Sequence, residues 1–259
     1  MWTALMTSAD EMKSALGAAV NRAEPGLAAA DDLCRSCVAL LGVDGAAISL
    51  IHEGKTQGTF GSSGPTSRRL DELQYTFGEG PCLDAVRDSA SVLVADLDEA
   101  EGLRWPAYRP AVLGLGVRAV FALPVTVAAS YVGVLDLFRK APGPLTDDQL
   151  TGALLAAELA ALPVLDLMTA DVDWSALGDF DDSWSQLASL ERVEVYQATG
   201  MIMAQLDIGP AEALVRLRAR AFTQGMTASE LAWQVVEGRL SLQGDRSWRI
   251  PPVDGGTAA

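Results

Sequence analysis

The spacing of apolar residues changes character once along this chain, and that change limits its architecture more than any other feature. Between Ala46 and Phe138 the apolar residues gather in short β-branched runs: Ala47–His52, Gln57–Gly61, Ser91–Asp96, Arg118–Val127 and Tyr131–Phe138. Runs of four to ten such residues bounded by Gly, Pro and Asp read as strands. From Trp184 to Leu242 no such run occurs, and apolar residues recur at helical spacing. Strands confined to one stretch and helices alone in another predict two folding units. At 259 residues the chain has room for both.

The first unit opens with helices. Trp2, Leu5, Met6, Ala9, Met12, Leu16 and Val20 share a helical face, and Glu24-Pro25-Gly26 ends it. A second helix is predicted from Leu27 to Leu41, stopped by Gly42. Strands follow, with Glu53-Gly54-Lys55 and Ala128-Ala129-Ser130 as hairpin-length connections. The last two strands are apolar on both faces, as in a sheet covered on both sides. Further helical segments are predicted at about 70–76, 82–88 and 105–115. Pro144-Leu145-Thr146-Asp147-Asp148 then opens a long apolar helix to about residue 162, with Thr146 or Asp147 as N-cap. The helices at 2–20, 27–41 and 146–162 are expected to supply a dimer bundle.

Pro163 heads a segment of acidic and small residues, 164–185, predicted to be a linker. In the second unit Leu187, Leu190, Val193, Tyr196, Gly200 and Met203 mark one face of a helix of about five turns. Asp207-Ile208-Gly209-Pro210 breaks it. A second helix runs Ala211–Phe222, ended by Gln224-Gly225. Thr227-Ala228-Ser229-Glu230 fits a capping box opening a third helix to about Arg239. The Gly/Pro-rich tail, 243–259, is expected to be mobile.

Charge separates the same two units. The formal net charge is −15. Residues 1–185 hold 12 Lys/Arg and 26 Asp/Glu, whereas residues 186–242 hold 5 and 6. An acidic body excludes a general polyanion binder, because phosphate backbones are held by Lys and Arg. The near-neutral second unit leaves room for nucleic acid there. Three cysteines do not make a disulfide framework. The N-terminus has no basic n-region, and no apolar run reaches the ~20 uninterrupted residues of a membrane span. A cytoplasmic protein is expected. There is no GxSxG, Walker loop, GxGxxG or HExxH, so no enzyme is expected. His52 is the only histidine, so no metal or cofactor is expected. Cys34-Arg35-Ser36-Cys37 has CxxC spacing, and Cys82 sits at a predicted helix start where a thiol pKa falls; packed structural cysteines are the competing account of both.

Two resemblances join these observations. The element order over residues 27–163, with Phe77-Gly78-Glu79-Gly80-Pro81-Cys82 and Val132-Gly133-Val134-Leu135-Asp136-Leu137, resembles a GAF sensor domain. That resemblance implies a curved antiparallel sheet with a pocket on one face. Family members bind cyclic nucleotides, tetrapyrroles, haem or other small molecules, or only dimerise. Cys82, Trp105 and Tyr108 are the candidate residues for an unidentified small-molecule ligand. Residues 186–242 resemble an ANTAR domain through Arg192–Met203, Ala211-Glu212-Ala213-Leu214, Leu217–Ala221 and Ser229–Val236. This implies binding of RNA hairpins, in tandem, by paired modules and hence a homodimer. The candidate RNA-binding residues are Arg192, Gln197, Ala198, Thr199, Gly200, Arg216, Arg218 and Arg220. Thr199 stands where the family often has Lys, which removes one potential phosphate contact. Ala198 and Gly200 are expected to leave a thin helix surface for close approach.

The fold class expected is therefore α+β: an N-terminal helix (1–26), a GAF-like antiparallel sheet with flanking helices (27–163), an acidic linker (164–185), an all-α three-helix ANTAR module (186–242) and a tail (243–259). The function expected is a signal-responsive RNA-binding transcription antiterminator. The alternative is a ligand- or redox-responsive dimeric interaction protein without an RNA target. An enzyme regulated by its sensor domain is a third.

Overall fold

The computed structural model describes residues 9–24, 26–52, 55–99, 104–127, 130–169, 192–243 and 247–249. Two compact units divide between Glu191 and Arg192. The first contains α1 (Ala9–Arg22), α2 (Leu27–Leu41), β1 (Gly45–His52), β2 (Lys55–Ser62), α3 (Pro65–Phe77), α4 (Pro81–Asp88), β3 (Val92–Val94), α5 (Tyr108–Gly114), β4 (Ala119–Val127), β5 (Ser130–Arg139), α6 (Asp147–Leu159) and α7 (Ala161–Thr169). Its strands form one antiparallel sheet in the order β2-β1-β5-β4-β3.

The period-2 alternation of strands explains why the sheet is apolar on both sides. On β4, Ala119, Phe121, Leu123 and Val125 enter the core shared with α1, α2 and α6. Val120 and Ala122 enter the opposite core, shared with α3, α4 and α5. β5 divides likewise, Leu135 and Leu137 to the first and Val134 and Phe138 to the second. Small residues bring the first layer close. A Cβ on Gly61 would meet Ala30 Cβ at 2.7 Å, so α2 lies almost on the backbone of β2.

The caps follow their sequences. Thr146 caps α6 in a full capping box with Gln149, and Gly42 closes α2 in the left-handed region at φ 60°. The helix does not stop at Pro163. That residue falls in the first turn of α7, where its missing N–H costs nothing, and α7 continues to Thr169. The run Asp147–Asp166 is long and apolar enough to cross a membrane by length and composition. Its Ala153, Ala156, Ala157 and Ala160 are nonetheless buried in the first core. The predicted linker beyond Thr169, with Trp174, Phe180 and Trp184, lies outside the described residues.

The helical faces reserved by the sequence for a dimer bundle are largely occupied within the unit. Met12, Leu16 and Val20 of α1 join Leu33, Cys34, Cys37 and Leu41 of α2 and the α6 alanines in one core. Leu154 and Leu162 remain exposed.

The second unit contains α8 (Val193–Leu206), α9 (Pro210–Thr223), α10 (Ala228–Val236) and a hairpin of β6 (Ser241–Gln243) and β7 (Ser247–Arg249). Thr227 and Glu230 form the expected capping box, with the Thr227 N–H donating to Glu230 Oε2 at 2.7 Å. α10 ends at Val236, earlier than expected, because Gly238 takes φ 71° and turns the chain. The two strands of the hairpin were not expected from the sequence, which carries no strand pattern there. Each is three residues, too short for a periodicity signal. Ala198, Ile202, Ala213, Leu217, Ala221, Leu231, Ala232 and Val235 are buried, and five of those named are no larger than alanine or valine, which sets the three helices close together.

Candidate functional site

In the first unit the Gly78–Cys82 turn joins three helices. Gly78 closes α3 at φ 68°. The Glu79 carboxylate accepts from the backbone N–H groups of Ala107 and Tyr108, at 2.6 and 2.8 Å, at the start of α5. Gly80 has φ 144°, and a Cβ there would meet Gln74 Oε1 at 2.5 Å. That approach lets Gln74 Oε1 accept from the Cys82 N–H at 2.7 Å, satisfying a donor at the head of α4. Pro81 occupies the first turn of α4, where no N–H is needed.

Beneath this turn lies a buried polar cluster. Ser49, Thr59, Asp71 and Gln74 are each at most 4% exposed. The Ser49 and Thr59 hydroxyls donate to Asp71 Oδ1 and Oδ2 respectively. Asp136 Oδ2 accepts from Gln74 Nε2 at 3.3 Å and lies 3.3 Å from Ser49 Oγ, whose one proton goes to Asp71. Asp136 Oδ1 is inaccessible to solvent and has no hydrogen-bond partner. Burial first, and then the neighbouring Asp71 carboxylate, hold the Asp136 carboxyl well above the usual carboxylate range. Asp71, Gln74, Ser67, Tyr108 and Asp136 line a cavity of about 10 Å³.

Among the described residues, the three ligand-pocket residues expected from sequence fall in different places. Tyr108 lines the inner cavity. Trp105 lines an open cleft of about 550 Å³ with Glu79, Asp84, Arg87 and Arg104. There the Trp105 Nε1–H and the Arg104 Nε–H both donate to Asp84 Oδ2, at 3.0 and 2.9 Å, and the Arg104 guanidinium lies 4.5 Å from the Trp105 ring centroid. Cys82 is fully buried. The CxxC pair is buried as well. Burial pushes the Cys37 thiol up to about 12 and also raises Cys34 well above its ordinary value. At neutral pH both are thiols, the unreactive form.

In the second unit α8 buries a different face from the one its sequence spacing marks. Val195, Ala198, Thr199 and Ile202 are buried, while Tyr196 is 61% exposed and Gln197 and Gly200 are exposed. Two apolar stripes compete on this helix, and the one with the smaller side chains packs inward. Thr199 Oγ1 donates to the Val195 carbonyl at 2.6 Å, the i−4 bond of a Thr kept inside a bundle. Nothing lies within 4 Å of a Cβ built on Gly200. Tyr196, Gln197 and Gly200 share one helix face by their i+3 and i+4 spacing. Arg192 is 2% exposed and starts the helix at φ 47°. Arg216 pairs with Glu212 across one turn of α9, while Arg218 and Arg220 are half-buried. Val215 and Phe222 on α9 and Trp233 on α10 are exposed, at 63%, 54% and 51%.

A GAF domain family model matches residues 28–162, and an ANTAR domain model matches residues 186–236. The chain belongs to the GAF domain family and carries an ANTAR domain. The GAF domain from a phosphoenolpyruvate-protein phosphotransferase of Coxiella burnetii is 19% identical, with a TM-score of 0.50 over 63% of this chain and 96% of that one. Free methionine-R-sulfoxide reductase from Neisseria meningitidis in complex with its substrate is 18% identical, with a TM-score of 0.43 over 60% of this chain and 85% of that one. At 19% identity the likeness to the Coxiella burnetii domain is one of fold. No curated protein matches the chain.

Of the residues expected to bind RNA, the ANTAR domain exposes Gln197 and Gly200 and turns Arg192, Ala198 and Thr199 inward. The thin surface expected around Ala198 is therefore packed, and only its Gly200 end is open. Sequence reasoning placed Tyr196 on an apolar helix face and did not name it among the RNA-binding candidates. The signal was present as the second apolar stripe Val195–Ala198–Ile202. In the GAF domain it missed Asp136 and Gln74. Asp136 stands alone as a carboxylate within the apolar run Val132–Phe138, which was the available cue.

Proposed function

We propose that this protein is a signal-responsive transcription antiterminator: its ANTAR domain binds RNA hairpins, and its GAF domain controls that binding. GAF and ANTAR domains together are the content of a regulatory protein. The observation that carries the RNA reading is the exposed face of α8. Sequence-specific RNA recognition targets unpaired bases stacked on aromatic rings. Tyr196 offers such a ring, Gln197 beside it offers both donors and an acceptor, and Gly200 one turn on leaves room for a backbone. Arg216 and Arg220 lie one turn apart on α9 and would serve phosphates at its edge. Trp233 is less suited, because Glu230 and Glu237 lie on its side of α10 and repel phosphate.

Antitermination follows if an occupied hairpin cannot refold into a terminator. In this reading the protein is a cytoplasmic homodimer whose two ANTAR domains grip tandem hairpins, and a small molecule at the GAF domain favours one arrangement of the pair. The near-neutral ANTAR charge predicts modest salt dependence, of fewer released counterions than a basic patch gives. Titration of tandem-hairpin RNA with the full chain tests this. A shift specific to the hairpin loops, lost on replacing the loop bases, is expected. Equal affinity for hairpin and unrelated RNA, or none for either, would favour the interaction protein without an RNA target.

A further inference from the structure

We infer that the Trp233 face of α10 docks a basic segment of a partner protein, which lays an arginine on the indole between Glu230 and Glu237. Exposure comes first. Trp233 is 51% exposed, while Leu231, Ala232 and Val235 of the same helix are buried. α10 is thus held by its other face and leaves half a tryptophan in water. Tryptophan is among the residues that carry most of the energy of protein interfaces.

Charge comes second. The residues three and four positions away surround a helical side chain. For Trp233 they are Ser229, Glu230, Val236 and Glu237, and both charged ones are exposed acids. Helical side chains lean toward the N-terminus, which tilts the indole over the turn that holds Glu230. α10 stops at Val236, so its negative carbonyl end adds to Glu237. Arg239 pairs with Glu237, and both side chains are exposed. Such a surface pair contributes little, so a partner's guanidinium can replace it. Nucleic acid is repelled from this face, and a cation is drawn to it.

Chemistry comes third. Tryptophan makes the strongest cation–π contacts of the aromatic side chains. A guanidinium lies flat on the ring while its edge donates to carboxylates. The GAF domain builds this arrangement internally. There the Arg104 guanidinium lies 4.5 Å from the Trp105 ring centroid, and Asp84 Oδ2 accepts from both Arg104 Nε and Trp105 Nε1. α10 displays the indole and the carboxylates, and among the described residues no guanidinium stacks on Trp233. The occupant is a protein because one ring contact on an open helix face does not offset the entropy a free small cation loses. A protein loses that entropy once for a whole interface. Tyr196 on α8 and Trp233 on α10 then give one ANTAR domain two unlike surfaces, one for bases and one for protein.

The test adds an alanine-based helical peptide with arginines at i,i+4 spacing to the full chain at physiological ionic strength. The same peptide with citrulline in place of arginine is the uncharged control. The Trp233 indole N–H signal and the α10 amides are followed by NMR, which separates this site from the acidic GAF surface. Saturable movement with the arginine peptide, and none with the citrulline peptide, is expected. Trp233→Ala should weaken binding at the α10 amides roughly two- to fivefold, the value of one exposed cation–π contact, with an unchanged ANTAR Tm. Glu230→Gln keeps the capping box, removes the charge and should also weaken it. A still Trp233 signal, equal movement with the citrulline peptide, or wild-type affinity in both variants overturns the docking surface. Movement of the Trp233 signal on adding tandem-hairpin RNA, or on raising the protein concentration alone, would give the face to nucleic acid or to a second copy instead and overturn it too.

Discussion

The GAF domain keeps its chemically unusual groups inside, and the ANTAR domain puts its own outside. Asp71, Gln74 and the Asp136 carboxyl sit beneath a sheet, around a space of about 10 Å³. Tyr196, Phe222 and Trp233 stand more than half exposed on three short helices. A space that small, beneath a sheet, is closed to a macromolecule. Exposed rings beside amide and guanidinium groups select by stacking and shape and suit a macromolecule. Burial thus separates a sensing part from a reading part before any ligand is identified.

The contrast can be broken at several points. The largest effect is expected from Leu135→Ala. Leu135 is fully buried in the GAF core, and removing such a side chain costs about 2–5 kcal/mol. The GAF transition should fall in calorimetry while the ANTAR transition stays in place, since the two are separate compact units. A common shift of both would show that they unfold as one. Gly80→Ala comes next. It forces a side chain into φ 144° against Gln74 and should cost about 1–3 kcal/mol. Weaker hydrogen-exchange protection at the Cys82 amide would accompany it, and unchanged protection would remove Gln74 from its role at α4. Thr227→Ala is smaller, about 1 kcal/mol, because it removes one N-cap from α10. Its loss should appear in the ANTAR transition alone.

Much of this organisation was legible from sequence where a local rule acts alone. The strands, the Thr146 and Thr227 caps and the two-unit division follow from periodicity and capping chemistry. Tyr196 was not legible, because α8 carries two apolar stripes and only packing against α9 and α10 decides between them. The Asp136 site was hidden for a related reason. Its partners Ser49, Asp71 and Gln74 come from β1 and α3, far apart in the chain, and only the antiparallel pairing of β1 with β5 brings Ser49 beside it. The β6–β7 hairpin is set by three residue pairs, below the length at which alternation can be recognised. The Phe77–Cys82 motif carried the resemblance to a GAF domain, and of its residues Cys82 was weighed as a pocket residue against a packed cysteine. In the fold its residues fix helix ends, and Cys82 contributes its backbone N–H.

The central claim is that the exposed face of α8 reads RNA, and the affinity of Tyr196→Ala for a tandem-hairpin RNA tests it most directly. Tyr196 makes no contribution to the buried core, so the variant should fold with an unchanged ANTAR Tm. Loss of one base–ring stack is worth about 1–3 kcal/mol, which is roughly five- to 150-fold in Kd. A weakening in that range with an intact melting curve is the result predicted. Wild-type affinity in a folded Tyr196→Ala protein would contradict it.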